Sequence, residues 1–168
     1  MPQPTWPPGV TLRAAVAEDA PAVANVMIEA RRVLMSFAPS AHSDADVRQW
    51  VQEQLLPGGD VTVAVGDKAV VGVLAAHQHD GLAWIDQLYV HPAQVARGIG
   101  AALLAAALER LSRPVQLYCF QANTRARGFY ERRGFCAVGF GDGTGNEERV
   151  PDVLYRLDVP DAVLASAA

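Results

Sequence analysis

Val90-His91-Pro92-Ala93-Gln94-Val95-Ala96-Arg97-Gly98-Ile99-Gly100-Ala101-Ala102-Leu103-Leu104 is the stretch on which the reading of this chain turns. An apolar, strand-like run from Ala83 to Val90 stops at a proline. A short loop ends in Gly98-Ile99-Gly100, and an alanine- and leucine-rich helical pattern begins at once. The first turn of a helix leaves its N–H groups without backbone partners, and the aligned peptide dipoles put partial positive charge there. Glycines at that point remove Cβ atoms, so an anion can approach the backbone closely. Arg97 adds a permanent positive charge beside them. The pattern predicts a site for a phosphorylated ligand.

Glycine spacing does not name the ligand. A Walker loop requires lysine after its last glycine, and the one lysine of the chain is Lys68. A dinucleotide fingerprint requires glycine or alanine where Leu103 stands, and an acidic residue about 20 positions further on, where the chain reads Tyr118-Cys119-Phe120. Both nucleotide readings fit poorly.

A second motif narrows the choice. After another strand-like run, Pro114 to Phe120, comes Asn123-Thr124-Arg125-Ala126-Arg127-Gly128-Phe129-Tyr130-Glu131-Arg132-Arg133-Gly134-Phe135. With these residues the chain resembles the GNAT superfamily of acetyl-CoA-dependent N-acetyltransferases, whose later motif reads Asn-x-x-Ala-x-x-Phe-Tyr-Glu-x-x-Gly-Phe. That match is complete. The family's earlier motif, Arg/Gln-x-x-Gly-x-Gly/Ala after a strand, is met at Gly98 and Gly100, while Val95 replaces the usual Arg or Gln. The resemblance spans residues 11 to 158.

The resemblance implies a fold, a co-substrate and a set of residues. The fold is α/β: a mixed, mostly antiparallel central sheet with splayed central strands and about four flanking helices. Acetyl-CoA would lie against Val95, Ala96, Arg97, Gly98, Ile99 and Gly100. Leu88, Tyr89 and Val90 would meet its pantetheine arm through their backbone, and Asn123, Ala126, Phe129 and Tyr130 would complete the contacts. A phenol held near the departing sulfur can give it a proton, which makes Tyr130 the expected acid. The alternative for Tyr130 is an aromatic at the edge of a core with its hydroxyl in water. Asn123 opens its helix and reads equally as an N-cap. Phe129 and Phe135 read as packing.

The acceptor side is less marked. Asp86 interrupts the apolar run Trp84 to Val90, and serves either as a base for the amine or as a structural hydrogen-bond partner. Glu147 and Glu148 lie in a glycine-rich segment, Asp142 to Asp152, that reads as a flexible loop; paired carboxylates there suit a cationic amine, or are simply solvated. His42, between the first two helices, is the remaining acceptor-side residue. His77, His79 and His91 have no partners at metal-ligand spacing, so no metal is expected. No Ser/His/Asp order or cysteine-nucleophile motif is present, which favours direct transfer. The expected activity is transfer of acetyl to a primary amine, of a small molecule first, and of a protein N-terminus or lysine as the alternative. A non-catalytic CoA-binding sensor is the rival of another class.

Composition sets the outer limits. The chain has 168 residues, 51% of them hydrophobic and 19% charged, which suits one globular domain. A net charge of −4 offers no general attraction to nucleic acid or acidic membranes. No apolar run nears the ~18 residues of a bilayer span. Residues 1–9 read as a flexible Pro-rich tail without a signal-peptide pattern, 10–159 as a single acetyltransferase domain, and 160–168 as a C-terminal tail. A cytoplasmic protein is expected, with a homodimer left open. Cys119 and Cys136 read as small buried thiols. Periodicity predicts strands at Val10 to Ala15, Asp60 to Gly66, Ala69 to His79, Pro114 to Phe120, Phe135 to Phe140 and Val153 to Val159. Helices are predicted from Glu18 to Met35, Asp44 to Leu56, Gly98 to Leu111 and Asn123 to Arg133.

Overall fold

The computed structural model describes residues 7–159; residues 1–6 of the expected N-terminal tail and the whole expected C-terminal tail, 160–168, lie outside them. The strands are β1 (Val10–Ala14), β2 (Val61–Gly66), β3 (Ala69–His79), β4 (Leu82–Val90), β5 (Val115–Phe120), β6 (Cys136–Gly141) and β7 (Asp152–Leu157). The helices are α1 (Ala20–Leu34), α2 (Asp44–Trp50), α3 (Ile99–Arg110) and α4 (Thr124–Glu131). The strands form one seven-stranded sheet in the order β1-β2-β3-β4-β5-β7-β6. The ladders β1–β2, β2–β3, β5–β7 and β6–β7 are antiparallel. β4 and β5 run parallel through a ladder of only Ala83–Val115 and Trp84–Gln116, as the expected splay requires, whereas β5 pairs with β7 from Val115 to Phe120.

Packing divides the described residues into two compact units, 7–76 with 86–110 and 77–85 with 111–159. In the first, Val23, Val26 and Met27 of α1 pack with Val61, Val63 and Val73 of the sheet. The two hairpins follow from turn chemistry. Asp67 and Lys68 take φ of 50° and 63°, and Asp80 and Gly81 take 50° and 76°. Two successive positive φ values give the turn whose twist matches a hairpin.

Local chemistry departs from expectation at three places. Asp19 stands at the N-cap position of α1, but its side chain makes no cap hydrogen bond there. Its carboxylate accepts from the Val16 N–H at 2.8 Å and takes both Arg13 nitrogens, at 2.7 and 2.9 Å. The bidentate guanidinium outcompetes the helix end, and it holds the Asp19 carboxyl below its usual range. The second helix is capped by Ser43, with Asp46 N–H donating to Ser43 Oγ at 3.2 Å and Asp46 Oδ2 accepting from the Ser43 N–H at 3.2 Å. It remains α-helical only to Trp50 and widens into a π-helical turn over Val51–Leu55. Cys119 is buried, but Cys136 is exposed on β6. Burial pushes the Cys119 thiol up to about 11.

Candidate functional site

The loop before α3 belongs to the first unit. Its approach is controlled by His91. The His91 N–H donates to Val71 O at 2.8 Å, extending the hold of β3 on the chain beyond β4. The His91 ring then folds back, and Nδ1 accepts from the Ala93 N–H at 3.2 Å across a short 3-10 turn, Pro92–Gln94. This turn and its cap were not visible in the sequence, although a histidine before proline can serve such a bend. Val95 is extended, Ala96 turns left-handed at φ 63°, and Gly98 does so at φ 84°.

The chain therefore enters α3 through two left-handed residues. The first intrahelical hydrogen bond runs from the Ala102 N–H to Gly98 O at 3.0 Å. The N–H groups of Ile99, Gly100 and Ala101 lie ahead of that ladder. A Cβ built on Gly98 would meet nothing within 4 Å, so the space beside the turn is open. Arg97 and Gly98 are exposed while Ile99 is buried. The helix is anchored by one side chain and presents bare backbone with the next. These residues fit an anionic group such as a pyrophosphate.

Gly72 of β3 makes the anchoring possible. A Cβ on it would stand 3.0 Å from both Ile99 Cγ2 and Leu103 Cδ1, and 3.4 Å from Tyr89 O. A lone glycine between Val71 and Val73 is the signal in the sequence of a close approach in a strand. Leu88, Tyr89 and Val90 are half-buried at the end of β4, and the Tyr89 hydroxyl accepts from Arg31 at 3.4 Å. Asp86 is exposed on the same strand, and His42 is exposed ahead of α2 with its N–H on Ser40 Oγ at 3.3 Å.

The second motif belongs to the other unit. Asn123 caps α4, with Oδ1 accepting from the Ala126 N–H at 3.1 Å. Tyr130 is buried, the residue as a whole being 8% exposed. Phe129 and Phe135 meet it edge-on at centroid distances of 5.2 and 5.6 Å, and Tyr155 lies at 6.3 Å. Phe129 carries the Arg133 guanidinium 3.8 Å from its ring centroid, and Phe135 is buried, so both pack as expected.

Three residues missed in the sequence stand around this group. The Tyr155 hydroxyl donates to Glu131 Oε1 at 2.6 Å and accepts from Arg127 Nε at 3.1 Å. Arg127 also donates to Gln121 O at 3.4 Å, and the Gln121 amide donates to Gly141 O and Asp152 O, each at 3.0 Å. Arg127 and Glu131 are four apart on α4, which is the pattern of a shared face. Nothing in the sequence named the tyrosine between them.

Glu147 is exposed and Glu148 half-buried, in a segment that is less loose than its glycines suggest. Asn146 Nδ2 donates to Val150 O at 2.7 Å and to Asp152 Oδ2 at 3.0 Å, and the Val150 N–H returns to Asn146 Oδ1 at 3.2 Å. Among the described residues no group of three His, Cys, Asp or Glu is arranged to hold a metal ion, and no helix is long and apolar enough to cross a membrane.

Comparison with known proteins agrees with this geometry. The family model described as the acetyltransferase (GNAT) family matches residues 27–135. Among solved structures, the PaiA N-acetyltransferase of Thermoplasma acidophilum in complex with coenzyme A superposes with a TM-score of 0.72 at 20% identity, over 89% of this chain and 99% of that one. A GCN5-related N-acetyltransferase from Kribbella flavida gives 0.70 at 21%, over 92% and 100%. Ard1 of Thermoplasma volcanium gives 0.67 at 18%, over 90% and 98%. At these identities the likeness is one of fold.

Proposed function

As the chain belongs to the acetyltransferase (GNAT) family, we propose that it transfers the acetyl group of acetyl-CoA directly to a primary amine of a small molecule. The observation that carries the reading is the glycine-bared start of α3, where Gly98 is left-handed, exposed and open on its Cβ side. Backbone N–H groups there would hold the diphosphate, so Val95 in place of a longer polar residue removes little. Arg97 would add its charge. Leu88, Tyr89 and Val90 would meet the pantetheine arm through their backbone, and Asn123, Ala126, Phe129 and Tyr130 would contact it from α4.

The chemistry asks two things of the protein. The amine nitrogen forms a bond to the thioester carbonyl carbon as the C–S bond breaks. Tyr130 gives its phenolic proton to the departing thiolate, and the amine gives up a proton to Asp86 or to water beside it. Asp86 is exposed, so it can pass that proton on to solvent. Glu147, Glu148 and His42 would form the acceptor side, where two carboxylates favour a cationic amine. Holding amine and thioester together would supply much of the rate.

Release of free thiol from acetyl-CoA, measured across small amines, peptides and aminoglycoside-type antibiotics, tests the activity and its acceptor class together. Small amines are expected to turn over best; preference for peptides would move the acceptor to protein. Tyr130→Phe is expected to lose turnover while keeping affinity for CoA. Unchanged turnover would remove Tyr130 as the acid, and CoA binding without any turnover would leave a sensor.

A further inference from the structure

Tyr130 carries the proposed chemistry, and its ring is held by residues of its own segment and of a distant strand. α4 is only eight residues long. The Tyr130 ring is enclosed by Phe129 and Phe135, which come from its own helix and from the residue just before β6, and by Tyr155, which comes from β7. Tyr155 is fully buried, and its hydroxyl is fastened twice to α4, at Arg127 and at Glu131. The 2.6 Å contact to Glu131 is short, as expected for a hydroxyl donating to a carboxylate. Arg127 extends the chain of bonds to Gln121, and Gln121 reaches the ends of β6 and β7.

One phenol therefore ties the middle and the C-terminal end of a two-turn helix to the strand beneath it. The residue next to Glu131 in the chain is Tyr130 itself. We infer that Tyr155 is a positioning residue for the transfer reaction: bridged by Arg127 and Glu131, it holds α4 and supports the Tyr130 ring, so that the Tyr130 hydroxyl stays where the leaving sulfur needs it. Tyr155 itself exchanges no proton with substrate. The inference rests on the reading of Tyr130 as the acid.

Four variants test it: Tyr130→Phe, Tyr155→Phe, their combination, and Glu131→Gln, each checked for folding by circular dichroism. Misplacement of a reacting group by about 1 Å can cost on the order of a hundredfold in rate. Tyr155→Phe keeps the ring and loses only the two bonds, so a fall in kcat of about tenfold is expected, with the KM for acetyl-CoA changed less than about twofold. Glu131→Gln keeps an acceptor oxygen and is expected to lie between Tyr155→Phe and the parent. In the Tyr130→Phe background the Tyr155→Phe change is expected to add nothing, because the group it positions is gone.

Equal losses from Tyr155→Phe in both backgrounds would overturn the inference, as would an unchanged kcat in the single variant. Full activity of Tyr130→Phe would instead overturn the acid assignment, and the inference with it. If Tyr155→Phe fails to fold, Glu131→Gln decides between the same outcomes by the same cycle with Tyr130→Phe.

Discussion

Gly72 of β3 and Ile99 of α3 approach closely because no side chain stands between them: a Cβ on Gly72 would lie 3.0 Å from Ile99 Cγ2. That contact sets how deeply the start of α3 is seated. Gly72→Val would force the helix outward, because Leu103 closes the same space at 3.0 Å. Overpacking of this kind costs about 1–3 kcal/mol. The expected outcome is a lower melting temperature together with a raised KM for acetyl-CoA.

Gly98 should tolerate change for a different reason and fail for another. The space at its Cβ is open, but its φ is 84°. A side chain there costs roughly 1–2 kcal/mol of backbone strain. Gly98→Val is expected to raise the KM for acetyl-CoA on the order of tenfold, with kcat at saturation little changed. A variant with unaltered KM would move the diphosphate away from this turn.

Asn123→Ala removes the cap on the Ala126 N–H. The loss is expected to be about 1 kcal/mol, or a fall in Tm of about 2–4 °C. Calorimetry of the two proteins measures it directly.

Asp19 makes stability depend on pH in a defined direction. Its folded pKa is lowered, first by the hydrogen bond from Arg13, so the stabilisation is complete above the unfolded carboxyl value and is lost as pH falls through the folded one. Asp19→Asn is expected to be less stable at pH 7 by about 1 kcal/mol per lost hydrogen bond. The gap should begin to narrow below about pH 4, the ordinary carboxyl range, and close only below the lowered folded value. Urea unfolding at pH 7 and pH 3 compares them.

The two thiols should be told apart by reactivity. Cys119 is buried, with its thiol pushed up to about 11, so it stays protonated near neutrality. Cys136 is exposed. A disulfide reagent at pH 8 is expected to label one thiol quickly and the second only on unfolding. Cys136→Ser should abolish the fast phase.

Elements with a strong local pattern were legible in the chain. The valine-rich hairpin, the Asp80-Gly81 turn, the Ser43 cap and the glycine-rich entry to α3 each depend on residues within a few positions of one another. So does the Asn123 cap. What depended on partners distant in sequence was not legible. The start of α1 near Asp19 was legible, but not that its carboxylate is taken by Arg13 at 2.7 Å. Cys136 looked buried because an apolar run does not say which of its faces is covered. The glutamate-bearing loop looked slack because the hold of Asn146 on Asp152 depends on how the chain folds back.

The sequence by itself determined the sheet-and-helix order, which rests on local periodicity and turn preference, and the two motifs whose resemblance pointed to the family. Only the tertiary structure decided that Gly72 seats α3, that Tyr130 is enclosed by rings and that Tyr155 bridges Arg127 and Glu131. Tyr155 is 24 residues from Glu131 and 28 from Arg127. Short-range pattern carries no information about such a meeting; it arises when strand pairing and burial bring β7 under α4.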